Sequence, residues 1–312
     1  MQNHPLVSVP VITYNSSKFI IETLESIKLQ TYNNIELIIS DDCSTDNTVE
    51  ICKDWLKRNE SRFVRTLLIE SNKNTGTSAN GNRGEKACQG EWVKLIAGDD
   101  ILLPSCISDY IDFVSLHPDA KYVFGRVEAF GGSEERNKEI TENCVNYSFF
   151  KLSAKQQYHS LAMGAWLLAP TCFYNRSVAI KHNIKNDESI KLIEDLPKWM
   201  NVTKAGIRMT LMDKVVVRYR LHDGSISTSN TLSVAFLKDG FRIYMAYEAR
   251  ELYKEHKRLA IYKWLVSKCF VEDKRFPYLQ LVKTFKIIDT LICGHMLKKK
   301  CVSWEKDILL DM

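Results

Sequence analysis

The sequence predicts an α/β protein whose central sheet is mostly parallel and is flanked by helices. Strand-like segments rich in Val, Ile and Leu alternate with helical segments over the first 130 residues, and short connections join them. A β-branched run at 6–15 is followed by a helical spacing of apolar residues at Ile20, Leu24 and Ile27. Such alternation is typical of parallel sheets with helices on both faces.

Further elements continue this alternation along the chain. Helices are predicted at 49–57 and 105–116, and the polar segments 72–84 and 131–147 predict loops, with a short helix near 85–88. Further strands are predicted at 35–40, 63–71, 91–98 and 121–130, and the segment 208–227 predicts a strand that ends near Arg220 and His222, followed by a Gly-Ser turn.

Composition excludes several classes of protein. The 312 residues are 26% charged and 45% hydrophobic, and the nine cysteines contain no Cys-x-x-Cys pair, so neither disorder, a zinc ribbon nor a disulfide framework is predicted. The charge is modest and no nucleic-acid-binding module is recognisable, so we expect no nucleic-acid partner. The sequence shows no signal-peptide pattern, so a cytoplasmic protein is expected. Its longest weakly polar run, 161–170, is shorter than the roughly 20 residues that span a bilayer, so we expect no membrane crossing.

The carboxyl-terminal part differs in charge from the rest. Residues 231–312 hold 16 Lys and Arg against 10 Asp and Glu, a net +6, and predict a basic helical extension to a domain at 1–230. Within it, the segment 276–301 interleaves apolar residues with lysines. Such a helix can lie on an anionic membrane surface, so peripheral contact with the cytoplasmic face is one expectation. Packing against the rest of the chain, with the basic side in water, is the other.

Two adjacent acid pairs follow predicted strands. Asp41 and Asp42 follow the strand at 35–40, and Asp99 and Asp100 follow the strand at 91–98. The carboxyl ends of parallel strands share one edge of the sheet, where ligands bind. Carboxylate oxygens there suit Mg²⁺ or Mn²⁺ that neutralises a diphosphate, whereas the alternative for each pair is an exposed turn with a helix cap.

Two long segments together resemble family 2 glycosyltransferases. They are "VSVPVITYNSSKFIIETLESIKLQTYNNIELIISDDCSTDNT" and "NTGTSANGNRGEKACQGEWVKLIAGDDILLP", and the resemblance runs over residues 6–228. It implies the GT-A fold, with a Rossmann-like nucleotide-sugar-binding half at 1–100 and an acceptor half at 101–230. It also implies that the anomeric centre of the donor sugar is inverted.

The resemblance implies roles for individual residues on the donor side. The "TYN" segment and the second acid of the first pair would line the nucleobase and ribose, and "NRG" matches a family loop beside the nucleotide. The residues implied to bind the nucleotide sugar are Thr13, Tyr14, Asn15, Asp42, Asn82, Arg83, Gly84, Asp100 and Arg220.

The resemblance also implies a metal site for Mn²⁺ or Mg²⁺. Asp99 matches the family's principal metal ligand, and His222, in "YRLHDGSIS", would complete the metal shell or bind phosphate. The family pattern is Asp-x-Asp-Asp, but Ala97 stands at the first position here. Metal affinity and the contacts to the donor ribose are therefore open.

Glu194 and Asp195 resemble the family's acidic motif in the acceptor half. An attacking hydroxyl needs a carboxylate within about 3 Å to take its proton, and we assign this base to Asp195, with Glu194 as the second candidate. The alternative is a charged first turn of a helix. Trp166 and Tyr174 are predicted to pack in the core rather than to stack on an acceptor sugar.

The resulting expectation is an inverting glycosyltransferase of surface polysaccharide biosynthesis, such as O-antigen or capsule. The donor would be a nucleotide sugar, with UDP favoured, and the acceptor would be a glycan hydroxyl on a lipid diphosphate carrier. Two alternatives stay open. One is a sugar nucleotidyltransferase, although "VITYNSSKF" lacks the Gly-rich basic loop that usually follows the first strand. The other is a non-catalytic paralogue, suggested by Ala97.

Overall fold

The computed structural model describes residues 4–162, 165–190, 193–222, 239–240 and 242–248. The chain divides into two compact units, Met1–Ser225 and Ile226–Met312. In the second unit, a π-helical turn forms at Tyr244–Glu248, and most of the extension predicted at 231–312 lies outside the described residues, as does all of 276–301. No described helix combines the length and the apolar character needed to cross a bilayer.

Within the described ranges, the first unit is built on a nine-stranded mixed sheet. The strands are β1 (Val7–Thr13), β2 (Ile35–Asp41), β3 (Arg65–Glu70), β4 (Trp92–Val93), β5 (Ile96–Ala97), β6 (Ile101–Leu102), β7 (Tyr122–Phe130), β8 (Cys172–Asn175) and β9 (Met209–Arg220). Their order is β3-β2-β1-β4-β8-β7-β9-β6, and β5 also pairs with β1. Strand β8 runs antiparallel to β4 and β7, β6 runs antiparallel to β9, and the other pairings are parallel, as predicted.

The described helices cover this sheet. They are α1 (Ile20–Lys28), α2 (Thr48–Asn59), α3 (Thr77–Ala87), α4 (Cys106–Leu116), α5 (Glu134–Asn143), α6 (Tyr147–Phe150), α7 (Ala154–Ala162), α8 (Arg176–Lys181) and α9 (Asp195–Lys204). Short 3-10 turns lie at Glu60–Arg62 and Ala169–Thr171.

The core forms where the most apolar strands meet the first helix. Every residue of β1 and β2 is buried, and Val9 pairs with Leu37 at the centre of their ladder. Helix α1 turns the fully buried Ile20, Leu24 and Ile27 towards the core, with the helical spacing that the sequence predicted. Burying each of these side chains contributes about 1.5–3 kcal/mol.

Two segments predicted as loops are helical. Helix α3 replaces most of the loop predicted at 72–84, although Gly and Asn are poor helix formers. Its close approach to the sheet explains this: a Cβ on Gly84 would lie 3.3 Å from Pro10 Cβ and 3.4 Å from Ser40 Cβ. Helix α5 replaces the loop predicted at 131–147, and Ser133 caps it by accepting the Arg136 N–H at 3.3 Å.

Two other predictions need adjustment. The strand predicted at 91–98 is divided into β4 and β5, and between them the Lys94 N–H still donates to Ser8 O at 2.9 Å, so the chain keeps following β1. Tyr174 is buried and stacks on Tyr122 with ring centroids 5.2 Å apart, as a core residue should. Trp166 is 57% exposed, so the prediction that it packs in the core is wrong.

Candidate active site

The segment after β1 forms the first part of the site. The Asn15 backbone adopts φ +51°, its N–H donates to Ser44 Oγ at 2.8 Å, and its side-chain oxygen accepts the Thr45 N–H at 2.8 Å. This pairing turns the chain sharply and leaves the Tyr14 ring 47% exposed. The hydroxyl of Thr13 is buried, with no hydrogen-bond partner in the described part of the chain. An exposed ring therefore stands at the sheet edge where the nucleobase was predicted.

Asp42 is buried in a complete set of hydrogen bonds from this chain. One carboxylate oxygen accepts from the Thr75 hydroxyl at 2.6 Å and from Arg83 Nη2 at 2.8 Å. The other accepts the backbone N–H groups of Thr75 and Gly76 at 2.9 and 2.7 Å. Burial alone would raise the pKa of Asp42, but these bonds hold it below its usual range. Its predicted bond to a base or ribose would have to replace one of these donors.

The three residues predicted beside the nucleotide on α3 point in different directions. Arg83 contacts Asp42, whereas Gly84 packs closely against Pro10 and Ser40 of the sheet. The Asn82 side chain donates to Asn186 O at 3.0 Å and to Glu188 Oε1 at 2.9 Å, and it accepts the Asn186 N–H at 2.9 Å. Asn82 thus ties α3 to the segment that precedes α9.

Asp99 and His222 meet at the end of β5. Asp99 Oδ2 lies 3.0 Å from His222 Nε2, and the two side chains are 27% and 25% exposed. A Cβ on Gly98 would lie 3.1 Å from Thr13 Oγ1 and 3.2 Å from Ile20 Cδ1, so the chain reaches Asp99 through a position that favours glycine. The described residues contain no cluster of three or more His, Cys, Asp or Glu that could hold a metal ion.

Arg220 connects this pair to the surrounding elements. Its Nε donates to Asp99 O at 2.8 Å and its Nη2 donates to Glu22 Oε2 at 2.9 Å. The guanidinium lies 4.7 Å from the ring centroid of Phe19 and 4.4 Å from that of Phe130, distances typical of cation–π contacts. Its position is therefore fixed from several sides.

Asp100 lies next to Asp99 and supports the end of β9. It is 2% exposed, and its Oδ1 accepts the Arg220 N–H at 2.9 Å, which joins the end of β9 to the turn after β5. Burial raises the pKa of Asp100 well above its usual range, and the negative charge of the neighbouring Asp99 carboxylate adds to this rise. The Asp100 side chain therefore supports the backbone of Arg220, and its contact with the nucleotide sugar stays a prediction.

Glu194 and Asp195 lie where α9 begins, as the sequence predicted. Both line a pocket that also includes Ile12 of β1 and Leu95, so the acid pair adjoins the edge that carries Thr13. Asp195 Oδ1 accepts the Leu196 N–H at 2.8 Å. Burial and the charge of Asp195 raise the pKa of Glu194 to about 8, and burial raises the pKa of Asp195 to about 6.

Sequence reasoning missed two charged residues in the wall of the same pocket. Lys198 follows Asp195 by three positions on α9, and its ammonium contacts the Glu85 carboxylate of α3. Helical spacing was a usable signal for Lys198, because residues three apart share one face of a helix. No such signal existed for Glu85, because it contacts Lys198 from a position 113 residues earlier in the chain.

A mixed α/β sheet with acid residues beside the carboxyl ends of its strands is the arrangement that the resemblance to GT-A glycosyltransferases implies. The model of the family "Glycosyl transferase family 2" matches residues 8–183, more than half of the chain. The chain therefore belongs to glycosyltransferase family 2.

Similar proteins agree with this family and fold. The chain is 29% identical over 226 residues, 72% of its length and 80% of the relative's, to the Escherichia coli UDP-Glc:alpha-D-GlcNAc-diphosphoundecaprenol beta-1,3-glucosyltransferase WfaP. It matches Staphylococcus aureus TarS 1–349 in complex with UDP-GlcNAc at 20% identity and TM-score 0.59, covering 84% of this chain and 79% of that one. It matches a Pyrobaculum calidifontis mannosyltransferase in complex with GDP-Man and Mn²⁺ at 15% identity and TM-score 0.56, covering 99% and 81%. These two structural likenesses show the fold.

Proposed function

We propose that the protein transfers a sugar, with inversion, from a UDP-sugar to a hydroxyl of a lipid-linked glycan during surface polysaccharide synthesis. The observation that carries this proposal is the Glu194–Asp195 pair beside the carboxyl end of β1, the edge at which Asp99 and His222 also meet. WfaP, named for a UDP-glucose donor and a diphosphoundecaprenol-linked acceptor, supports both halves of the proposal. TarS, solved with UDP-GlcNAc, supports a UDP-sugar donor.

On the donor side, Tyr14 offers a ring face to the base and Arg220 offers a fixed positive charge near the diphosphate. Asp99 and His222 fit a divalent ion such as Mn²⁺ or Mg²⁺, because one carboxylate and one imidazole 3.0 Å apart can share a cation whose other ligands are phosphate oxygens and water. A bound ion would supply positive charge that stabilises the departing diphosphate.

On the acceptor side, Asp195 is the proposed base. The acceptor hydroxyl attacks the anomeric carbon opposite the leaving nucleotide, and its proton passes to the Asp195 carboxylate as the new bond forms. With its pKa raised to about 6, Asp195 is largely ionised at neutral pH while being a better proton acceptor than an ordinary aspartate. Glu194, whose pKa is raised to about 8, largely keeps its proton at that pH.

A non-catalytic nucleotide-sugar-binding protein is the second candidate function, because Ala97 occupies the position of an acid in the family pattern. Ala97 pairs with Ile12 in the sheet, so its methyl group adjoins the donor edge and supplies no ligand there. The two candidates differ in one respect: only a transferase loses turnover when Asp195 is changed.

Calorimetry of UDP, GDP and dTDP, with and without Mn²⁺, tests the donor site on the intact chain. We expect UDP to bind more tightly with Mn²⁺, and we expect Asp99→Ala to abolish that metal dependence. The matched control is Asp54→Ala, an exposed position on α2 that should bind UDP like the unchanged protein. Absence of binding by all three nucleotides, with and without the metal, would contradict the proposal.

We also propose that residues 231–312, with their net charge of +6, bring the enzyme to anionic membranes that carry its acceptor. Sedimentation with vesicles containing anionic lipid measures this directly. Deletion of 276–312 should release the protein from the vesicles, and raised salt should do the same for the intact chain. Unchanged vesicle affinity after the deletion would count against membrane contact through this segment.

A further inference from the structure

A buried ion pair stands in the wall of the pocket that holds the proposed base. The Lys198 ammonium contacts the Glu85 carboxylate, and the two side chains are only 6% and 12% exposed. The ammonium also lies 4.8 Å from the ring centroid of Tyr174. Apolar residues of similar size often stabilise a core as well as a buried ion pair does, so stability alone is a weak reason for this one.

The pair shares its pocket with both candidate bases. Lys198 follows Asp195 by three positions on α9 and follows Glu194, the residue that precedes the helix, by four, and side chains at these spacings are neighbours on a helix. Glu85 reaches the same pocket from α3. Three carboxylates and one ammonium therefore line the same pocket, and Lys198 is the only basic side chain among the described residues that line it.

The other ionisable groups that line the pocket carry no charge near neutral pH. Burial raises the pKa of the Cys172 thiol to about 12 and that of the Tyr174 phenol well above its usual range. Both belong to β8, and both stay uncharged. The charge of the pocket is thus set by one ammonium and three carboxylates, which cannot all be ionised at low cost in a buried site.

We propose that Lys198 and Glu85 are positioning residues that set the proton affinity of the Glu194–Asp195 pair. Lys198 favours the ionised form of the pair, and Glu85 limits that effect by holding the ammonium on the α3 side. The proposal rests on the proposed function, since it makes the acid pair the base. In agreement with it, the charge of Lys198 acts to lower the pKa of Glu194, against the larger effects of burial and Asp195.

Replacing each partner should shift the acid pair in opposite directions. Lys198→Met removes the cation and leaves Glu85 as a third unpaired carboxylate, so the pair should hold its protons to higher pH. Glu85→Gln keeps the shape of the side chain and frees the ammonium for the pair, so the pair should lose its protons at lower pH. Lys198→Arg keeps the charge and should stay close to the unchanged protein.

Carboxyl NMR titration of the full chain measures these shifts without any need for turnover. Glu194→Gln and Asp195→Asn assign the two signals. We expect the midpoints to rise by about one pH unit in Lys198→Met and to fall by about one in Glu85→Gln, the size typical of one nearby charge. Titration midpoints that do not change in either variant, or that shift in the same direction in both, would overturn the proposal. Glu85→Gln keeps the test decisive if Lys198→Met does not fold.

Kinetics distinguish this inference from the proposed function on which it rests. Once a donor is identified, the acidic limb of the pH profile of kcat/KM should move as the NMR midpoints do. A purely structural pair would change stability and leave that limb in place, which would also overturn the inference. Turnover that is unaffected by Asp195→Asn would instead contradict the proposed function, while the titration of the pair would still report on Lys198 and Glu85.

Discussion

Carboxylates lie near two opposite edges of the same sheet: Glu36 is fully buried, whereas Glu194 and Asp195 are partly buried. Near the amino ends of the strands, Glu36 Oε2 accepts from Arg65 Nε at 2.9 Å. Its Oε1 accepts from the Ser8 hydroxyl and the N–H groups of Gln89 and Gly90. Burial alone would raise the pKa of Glu36, but these donors hold it below the usual value. Beside the carboxyl end of β1, burial prevails and raises the pKa values of the Glu194–Asp195 pair.

The difference separates a structural carboxylate from a reactive one. Glu36 is fully buried, and donors from two strands and a turn offset the cost of removing its carboxylate from water. At Glu194 and Asp195 the cost of desolvating the carboxylates is largely uncompensated by hydrogen-bond donors. Small changes in their surroundings therefore change their protonation. A group that must accept a proton during a reaction benefits from that balance, whereas a group that holds strands together does not.

The largest expected effect is on turnover. Asp195→Asn keeps the shape of the side chain but removes its ability to take a proton, so turnover should fall by about 10²- to 10⁴-fold. Affinity for UDP with Mn²⁺ should stay within about twofold, as measured by calorimetry. Asp112→Asn, at an exposed position of α4, is the control and should leave both quantities unchanged. Turnover by Asp195→Asn near the level of the control would exclude Asp195 as the base.

Glu36→Gln tests the structural edge. The amide retains one acceptor but loses the ion pair with Arg65, so the free energy of unfolding in urea at pH 7 should fall by about 3 kcal/mol. Because the folded-state pKa is depressed, the stabilisation by Glu36 is present above its unfolded pKa and is lost as pH falls through the folded value. The variant should therefore approach the unchanged protein in acid. Glu50→Gln, exposed on α2, should change stability by less than about 0.5 kcal/mol.

Glu194→Gln should have the opposite effect, and its sign depends on pH. The folded state raises the pKa of Glu194 from its ordinary 4.5 to about 8, so ionising it costs stability as pH rises through that window. Above pH 8 the variant should be more stable than the unchanged protein by about 1–3 kcal/mol, and near pH 5 this advantage should largely disappear. Urea unfolding at pH 5 and pH 9 measures it. A difference that is the same at both pH values would contradict the raised pKa.

The sequence predicted those elements whose apolar pattern is continuous. The observed bounds agree with the predicted ones to within one or two residues for β1, β2, β7 and α4. Only the end of helix α3 was predicted, because the Gly and Asn residues of its first two turns argue against a helix when taken alone. Contacts with Pro10 and Ser40, distant in the chain, favour a small residue at Gly84 and override that local preference.

The candidate site shows the same division between local pattern and distant contact. The sequence placed Asp42 at a strand end, but the donors that occupy its oxygens come from Thr75 and Arg83, 33 and 41 residues further on. The contact of Glu85 with Lys198 spans 113 residues and joins two helices, one of which was not predicted over most of its length. Such pairings are set by tertiary packing, and a single sequence carries no local signal for them.

The smallest expected effect concerns the connection between the two halves of the proposed site. Asn82→Ala removes three hydrogen bonds to Asn186 and Glu188, so stability should fall by about 1–2 kcal/mol. Because these bonds hold the segment before α9, turnover should fall several-fold while UDP affinity stays constant. Asn143→Ala, exposed on α5, is the control and should alter neither. A loss of UDP affinity in Asn82→Ala would instead return this residue to the nucleotide contact that the family resemblance implies, and would show that α3 serves the donor on both of its faces.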